Sequence, residues 1–461
     1  MAGRLILVSN RMPTEAQTSG GLVVALQGAL HDGNGLWIGA HPDFAEKPSE
    51  QLIDMDKGRE GMRYARLAFQ LSRQEHEDYY LGFANSVLWP LCHRRGDLVS
   101  LEREFETAYL EVNARLARQI AELARPDDMI WIHDYHFFPL AEKLRALGVT
   151  AKIGFFLHIP FPALGDLGAL PQRIDFPGWL SAFDLVGLQT RADVARCLEM
   201  FRAEPDAELM LNGRVKYLDR AVALRSFPIG IEVEAFVEAA GGDDLRNVLG
   251  TDMPGDILIG VDRLDYSKGL PNRFRAFGRY LERRRQTCRR VSLLQIAPPT
   301  REEVPAYRQI RLELEELAGR LNGQHAELDW TPLRYIHRAI DRNLLAQLYR
   351  RARAGLVTPF ADGMNLVAKE YIAAQDPEDP GVLILSRMAG AAEDMEEALL
   401  VNPYDIEEIS EAIRTALNMP LPERQRRYEA CMHTVRETDV TRWSADFLAT
   451  LQNLTDKVTK H

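Results

Sequence analysis

The sequence predicts an α/β protein of two doubly wound parallel-sheet domains facing a central cleft, and three observations lead there. The chain has 461 residues with 46% hydrophobic content, which exceeds one ordinary core and fits two domains of about 200 residues each. Short apolar runs alternate with helix-forming segments in both halves, the pattern of parallel sheets covered by helices. Polar and cationic residues recur just after the apolar runs, at the carboxyl edge where such sheets meet their ligands.

The first half opens with Arg4 to Val8 (RLILV), a buried strand, then Ser9-Asn10-Arg11, a polar loop closing at Gly20-Gly21-Leu22, and a helix over Val23 to Leu30. The glycine pair allows close backbone approach to a phosphate or sugar. GxGxxG spacing is absent and no acidic residue ends a second strand at the required distance, which disfavours a nicotinamide oxidoreductase. Arg11 reads either as a phosphate fork or as a solvated loop arginine. Tyr79 to Pro90 (YYLGFANSVLWP) is rich in aromatics that fill a core or line a sugar-sized pocket. Leu101, Phe105, Val112, Leu116, Ile120 and Leu123 mark an amphipathic helix.

Met129 to His136 (MIWIHDYH) is a strand ending in titratable groups. His133 and His136 invite a metal, but a third ligand for zinc has no local candidate. Asp134 is better suited to accept hydrogen bonds from hydroxyls at the sheet edge. Lys152 to Leu157 (KIGFFL) delivers His158 to an equivalent strand end, and Leu185 to Leu188 and Ser226 to Ile231 supply further strands.

Gly241-Gly242-Asp243-Asp244 reads as a linker. Beyond it, Asp256 to Val261 (DILIGV) is a strand whose following loop carries Arg263 and Lys268, either a phosphate site or a solvated charged loop. Val291 to Ile296 leads to Arg301, another cation at a strand end. Gly355 to Phe360 then runs through Asp362-Gly363 into a helix over Asn365 to Gln375. A helix start leaves backbone N–H groups unpaired at the positive end of the dipole, so this turn can hold an anion such as a diphosphate. Locally, Asp362 and Glu370 read equally well as a helix cap and a solvated helix residue. Gly381 to Leu385 and Leu399 to Val401 continue the strands, and Asp405 with Glu408 forms a capping box before the helix marked by Ile406, Ile409, Ile413 and Leu417.

Composition removes several function classes. A net charge of −11 argues against a general nucleic-acid or anionic-membrane surface. Cys92, Cys197, Cys288 and Cys431 are scattered without a CxxC pair, as in a reduced, cytoplasmic protein. The N-terminal apolar run is too short for a signal-peptide core, and no run of about 18 apolar residues follows.

Taken in order, VSNR with a later GGL, NSVLWP, WIHDYH, GFFLHIPFP, VDRLDYSKGLP and TPFADGMNLVAKEY span Arg4 to about Tyr404. This set resembles the trehalose-6-phosphate synthase family, retaining glycosyltransferases of the GT-B type with two Rossmann-like domains. The resemblance implies an acceptor-binding domain over 1–235, completed by a C-terminal helix from about Thr441, and a nucleotide-sugar domain over 236–440. It implies transfer of glucose from a nucleotide donor, usually UDP-glucose, to glucose 6-phosphate, with no metal or redox cofactor and with small molecules rather than nucleic acid or membrane as partners.

Carried over by position, the resemblance gives Arg263 and Lys268 the donor diphosphate. Asp362, Gly363, Met364, Asn365 and Leu366 take the donor sugar and diphosphate, and Glu370 the ribose. Gly21 lies under the donor phosphate and His158 contacts the donor glucose. Arg11, Tyr80, Trp89 and Arg301 cradle the acceptor phosphate and face, and Asp134 binds acceptor hydroxyls. The implied chemistry rests on positioning, charge and domain closure, with the leaving phosphate taking the acceptor proton.

Three departures bear on the acceptor. Ala361 stands where the family commonly has arginine, Ala40-His41 where it has tryptophan and serine, and Leu164 to Leu167 where it has a proline-acid-apolar-aromatic run. They keep open a different acceptor, such as glycerol 3-phosphate or a cyclitol, or a catalytically silent sensing homologue.

Overall fold

The computed structural model describes residues 3–13, 26–28, 30, 35–56, 64–210, 213–242, 255–283 and 290–454. The chain forms two compact units, Met1–Pro228 with Val440–His461, and Ile229–Asp439.

The first unit is built on a ten-stranded sheet: β1 (Leu5–Val8), β2 (Gly35–Ala40), β3 (Ile53–Asp54), β4 (Tyr64–Phe69), β5 (Met129–His133), β6 (Lys152–Phe156), β7 (Leu185–Leu188), β8 (Ala207–Leu209), β9 (Arg214–Tyr217) and β10 (Arg220–Ser226). The order is β3-β4-β2-β1-β5-β6-β7-β10-β9-β8. Neighbours from β4 through β10 are parallel, and β3, β9 and β8 add antiparallel edges. The central strands are nearly continuous apolar runs because both faces are covered; Ile6, Leu7, Val8, Ile130, Trp131 and Ile132 are all buried.

The final helix, Val440–Asn453, closes this unit. Its Phe447 lies over β6 and β7 at Gly154 and Gly187, where an added Cβ would stand 2.8 and 2.7 Å from the ring. Phe447 and Trp443 pack on Trp131 at centroid distances of 4.6 and 5.1 Å. The Lys152 ammonium donates to the Leu454 carbonyl at 2.8 Å, a cation at the negative end of the helix.

The second unit carries a wholly parallel sheet: β11 (Asp256–Val261), β12 (Val291–Ile296), β13 (Leu333–Ile336), β14 (Ala354–Val357), β15 (Val382–Ser386) and β16 (Leu399–Val401). Its order is β13-β12-β11-β14-β15-β16. Among the described residues no helix is long and apolar enough to cross a membrane.

Some local expectations shift. The strand expected over Ser226 to Ile231 lies upstream, at Arg220–Ser226, because Pro228 has no N–H for a ladder. The chain leaves the first unit there. The second unit therefore begins before the Gly241-Gly242 stretch and includes the helix Val233–Ala240. Most of the helix expected over Val23 to Leu30 lies outside the described residues. Asp405 caps its helix through the N–H groups of Glu407 and Glu408, but Glu408 accepts from the Asn402 N–H at 3.1 Å rather than closing the capping box.

Two buried cations organise the second unit. The Lys369 ammonium donates to the Ile229 carbonyl at 2.8 Å and to the Thr438 hydroxyl at 3.1 Å, joining the first and last turns of chain in this unit. Gly230 permits that approach, since a Cβ there would stand 1.8 Å from the Thr438 carbonyl oxygen. Arg273 has no exposed surface. It donates to Asp262 (2.6 Å) after β11, Gln295 (2.9 Å) on β12 and the Thr358 hydroxyl (3.0 Å) after β14.

Breaking a buried pair strands a charge in low dielectric, typically at about 3–5 kcal/mol. Arg273→Met should therefore destabilise the protein by about that amount in urea unfolding. Adding Asp262→Leu should recover most of the loss, because no buried carboxylate is then left alone.

Candidate active site

In the second unit the strand order reverses between β11 and β14, and ligands of doubly wound sheets bind outside the carboxyl ends at such a point. The loops after these two strands meet there. After β11 the chain passes Asp262 and Arg263, makes a short turn over Tyr266–Lys268, and reverses at Gly269 (φ 67°). A Cβ at Gly269 would stand 2.3 Å from the Thr358 carbonyl oxygen, so the two loops pack at backbone contact. Lys268 forms an ion pair with Asp362 at 2.5 Å. The same carboxylate oxygen accepts from the Asn365 amide at 2.9 Å.

Asn365, rather than Asp362, is the helix cap. It takes a left-handed conformation (φ 75°), and its side-chain oxygen accepts from the Ala368 N–H at the start of Leu366–Ala374. Capping thus leaves Asp362 to face Lys268. Gly363 and Met364 are buried, and the Met364 carbonyl is bonded by the Ala391 N–H at 2.8 Å. Ala361 is buried at 4% exposure. Glu370, one turn further along, is partly buried, and burial pushes its carboxyl up to about 7 against the pull of Arg342 and the Tyr349 hydroxyl. Arg263 is exposed on its loop. Arg301 donates to the Tyr307 hydroxyl at 2.7 Å, which donates to Asp265 at 3.0 Å. Asp265 in turn caps the Lys268 turn through the Ser267 N–H.

In the first unit the order reverses between β1 and β5, placing Arg11 and Asp134 at the corresponding edge. Arg11 donates to the Tyr80 hydroxyl at 3.3 Å. Both line a cavity of about 220 Å³ with Asn10, His41, Phe44 and His76. Tyr80 is stacked between His76 and His136 at 5.1 and 5.7 Å, on the helix His76–Leu88, which is wound wider than an α-helix. The aromatic stretch therefore does both things its composition allows: Tyr79 is core, Tyr80 lines the cavity. Trp89 is buried at 3% exposure, against His93 and Tyr135.

Asp134 has φ 76° and ψ 167°, a region almost restricted to glycine. Its carboxylate accepts from the His158 N–H at 3.3 Å. His133 pairs with His158, not with His136: Nδ1 and Nε2 are 3.1 Å apart. Among the described residues no group of three side chains is arranged to hold a metal.

The structure thus brings together Lys268, Asp362 and Asn365, Arg11 with Tyr80, and Asp134 with His158; Gly21 lies outside the described residues. Of five described non-glycine residues with positive φ, three are Asp134, Arg301 and Asn365, and strain of this kind concentrates at functional sites. Sequence reasoning missed Arg273, Asp265, Tyr307, His76 and the pairing of His133. Only the Asp-x-x-Asp spacing of Asp262 and Asp265 hinted at a structured loop.

A family model for glycosyltransferase family 20 matches residues 6–453. The chain belongs to this family. It is similar to a trehalose-6-phosphate synthase of Sodalis glossinidius, 43% identical over 460 residues covering 98% of this chain and 97% of the relative. Among solved structures, a UDP-forming α,α-trehalose-phosphate synthase from Burkholderia xenovorans in complex with glucose-6-phosphate is 45% identical, with a TM-score of 0.91 and coverage of 98% of this chain and 100% of that one. An E. coli structure bound with UDP-2-fluoro glucose is 40% identical, with the same TM-score and coverage. The fold of this family 20 member is accordingly the GT-B pair of parallel-sheet domains.

Two measurements test the geometry. Asp134→Gly and Asp134→Ala lose the same carboxylate, but only glycine relaxes the backbone. The glycine variant should be about 1–2 kcal/mol more stable than the alanine variant, both being poorly active; equal stabilities would mean the backbone there is unstrained. Glu370 holds its proton to a higher pH folded than unfolded, so its stabilising effect is complete below the ordinary carboxylate range and lost as pH rises through about 7. Relative to Glu370→Gln, the wild type should lose about 2–3 kcal/mol between pH 4.5 and 8.

Proposed function

We propose that this chain is a retaining glucosyltransferase that moves glucose from UDP-glucose to glucose 6-phosphate, forming trehalose 6-phosphate and UDP. The observation that carries the reading is the Lys268–Asp362–Asn365 group at the strand-order reversal of the second unit. A cation, a hydroxyl acceptor and a helix start converge there, as a sugar diphosphate requires. The second unit is the nucleotide-sugar domain and the first unit, with its closing helix, the acceptor domain.

Arg263 and Lys268 meet the diphosphate. Before the donor binds, Asp362 already holds the Lys268 ammonium in place, so little reorganisation is needed when charge develops on the leaving group. Asp362, with the backbone of Gly363, Met364, Asn365 and Leu366, binds the glucose hydroxyls and diphosphate. Glu370 accepts from the ribose, Gly21 lies under the phosphate and His158 contacts the transferred glucose. In the acceptor domain Arg11 and Tyr80 bind the phosphate at the cavity they share, Trp89 supports that wall and Asp134 accepts from acceptor hydroxyls; Arg301, a residue of the second unit, adds a cation for the acceptor.

The donor C1–O bond breaks with its electrons passing to UDP. The acceptor oxygen bonds C1 on the same face, and its proton passes to the leaving phosphate oxygen. Positioning and charge supply the catalysis. The buried thiols of Cys92, Cys197 and Cys431 support placing the enzyme in the cytoplasm.

Incubation with UDP-, ADP- and GDP-glucose against glucose 6-phosphate, glycerol 3-phosphate and a cyclitol phosphate tests the reading. Trehalose 6-phosphate should be the main product with UDP-glucose; turnover of glycerol 3-phosphate with glucose 6-phosphate inert would replace it. Arg263→Ala should lower kcat/KM by more than about a hundredfold and weaken donor binding. Unchanged donor affinity would remove Arg263 from the diphosphate site. Arg301→Ala should chiefly raise the acceptor KM.

A further inference from the structure

The ends of β5 and β6 bring two imidazoles into contact, His133 Nδ1 lying 3.1 Å from His158 Nε2. His133 is 1% exposed and is surrounded by the rings of Trp131, Phe156 and Trp443. Its outer nitrogen, Nε2, is buried with no hydrogen-bond partner. His158 is partly exposed, with Phe156 and Trp443 against the rest of its ring. Among the described residues, His133 is the one hydrogen-bond partner of that ring. Burial lowers the basicity of both imidazoles, that of His158 to about 3, and His158 further disfavours charge on His133. Near neutral pH each ring therefore carries one proton.

Under that condition the contact couples the two tautomers, because only one of the facing nitrogens can carry hydrogen. Were it His158 Nε2, the proton of His133 would sit on its own Nε2, a buried N–H with no acceptor. When it is His133 Nδ1, the buried orphan is a bare ring nitrogen, and the proton of His158 sits on Nδ1. Among backbone groups, orphaned buried N–H donors are the rarer of the two, and leaving a buried donor unmade costs its full desolvation.

We infer that His133 is a positioning residue that fixes His158 as its Nδ1–H tautomer, presenting a neutral hydrogen-bond donor at the sheet edge. Such a donor takes an oxygen lone pair; the other tautomer would instead accept a hydroxyl proton. The tautomer stands on the His133–His158 contact, the orphaned Nε2 and the neutrality of both rings. The further statement, that its target is a hydroxyl oxygen of the transferred glucose, rests on the proposed role of His158.

Long-range ¹H–¹⁵N correlation on the full-length protein labelled in histidine reads both statements. His158 is assigned by the signals lost in His158→Gln. The wild type should show a protonated-type Nδ1 and a bare-type Nε2 for His158, unchanged from pH 8 to 5. His133→Asn sets an amide donor close to the Nδ1 position and should keep this pattern, with kcat/KM within about twofold of wild type. His133→Phe fills the space without a donor and should shift His158 toward Nε2–H. It should also lower kcat/KM for the nucleotide sugar about tenfold, the worth of one hydrogen bond, with the acceptor KM little changed.

An Nε2–H signature for His158 in the wild type overturns the inference, even if the phenylalanine variant does not fold. So does an unchanged His158 in a folded His133→Phe protein. If the tautomer shifts as stated and kinetics do not change, the positioning role of His133 stands and the contact of His158 with the transferred sugar fails.

Discussion

The second unit depends on one buried guanidinium. Arg273 reaches the loop after β11, a side chain on β12 and the loop after β14, so it fixes the spacing of three strand ends from within. A planar group with several donors in fixed directions can do this, whereas a flexible ammonium cannot. Asp262 shows what it costs: burial raises its carboxyl above the usual range although Arg273 is bonded to it. The strand-end loops carry this burden because their other faces, with Lys268 and Asp362, must remain at the ligand edge.

The first unit solves the same problem differently. No comparable buried cation spans β1 and β5 among the described residues; instead the backbone at Asp134 takes a conformation that side chains avoid, turning the carboxylate back onto the His158 N–H. The surrounding packing must hold it there. Helix Val440–Asn453 supplies part of that packing, its Trp443 lying against Phe156 and His158 and its Phe447 filling the space above two glycines. A segment from the far end of the sequence thus stiffens an edge built by residues near 130 and 160.

Two of the departures from the common family pattern, Ala361 and Ala40-His41, fall in different units. Ala361 is buried beside the Lys268 loop, with its N–H directed at the Ser267 carbonyl at 3.4 Å. Ala40 and His41 line the cavity of Arg11 and Tyr80, where His76 stacks on Tyr80 and packs against Phe44. The ligand edge of the second unit carries the Lys268–Asp362 pair, while the walls of the first unit's cavity depart from the common pattern.

Much was legible in the sequence because parallel strands buried on both faces leave uninterrupted apolar runs, and the polar residue after each run marks the ligand edge. Asp256 to Val261 and Val291 to Ile296 appear as strands with the expected limits, and the strand expected over Met129 to His136 ends at His133. The site residues lay one or a few positions beyond such runs. What a linear pattern does not contain is which of those ends become neighbours. Asp362 was equally a helix cap or a ligand until Asn365 took the cap and Lys268, 94 positions away, took the carboxylate. Arg301 was a cation at a strand end, and only the fold ties it to Tyr307 and Asp265. His133 looked like half of a metal pair with His136, three residues on; the sheet instead set it against His158 from the adjacent strand. Strand periodicity and end chemistry are local, so the sequence by itself determined them. Strand order, and with it every pairing across the edge, was decided only when the sheets assembled.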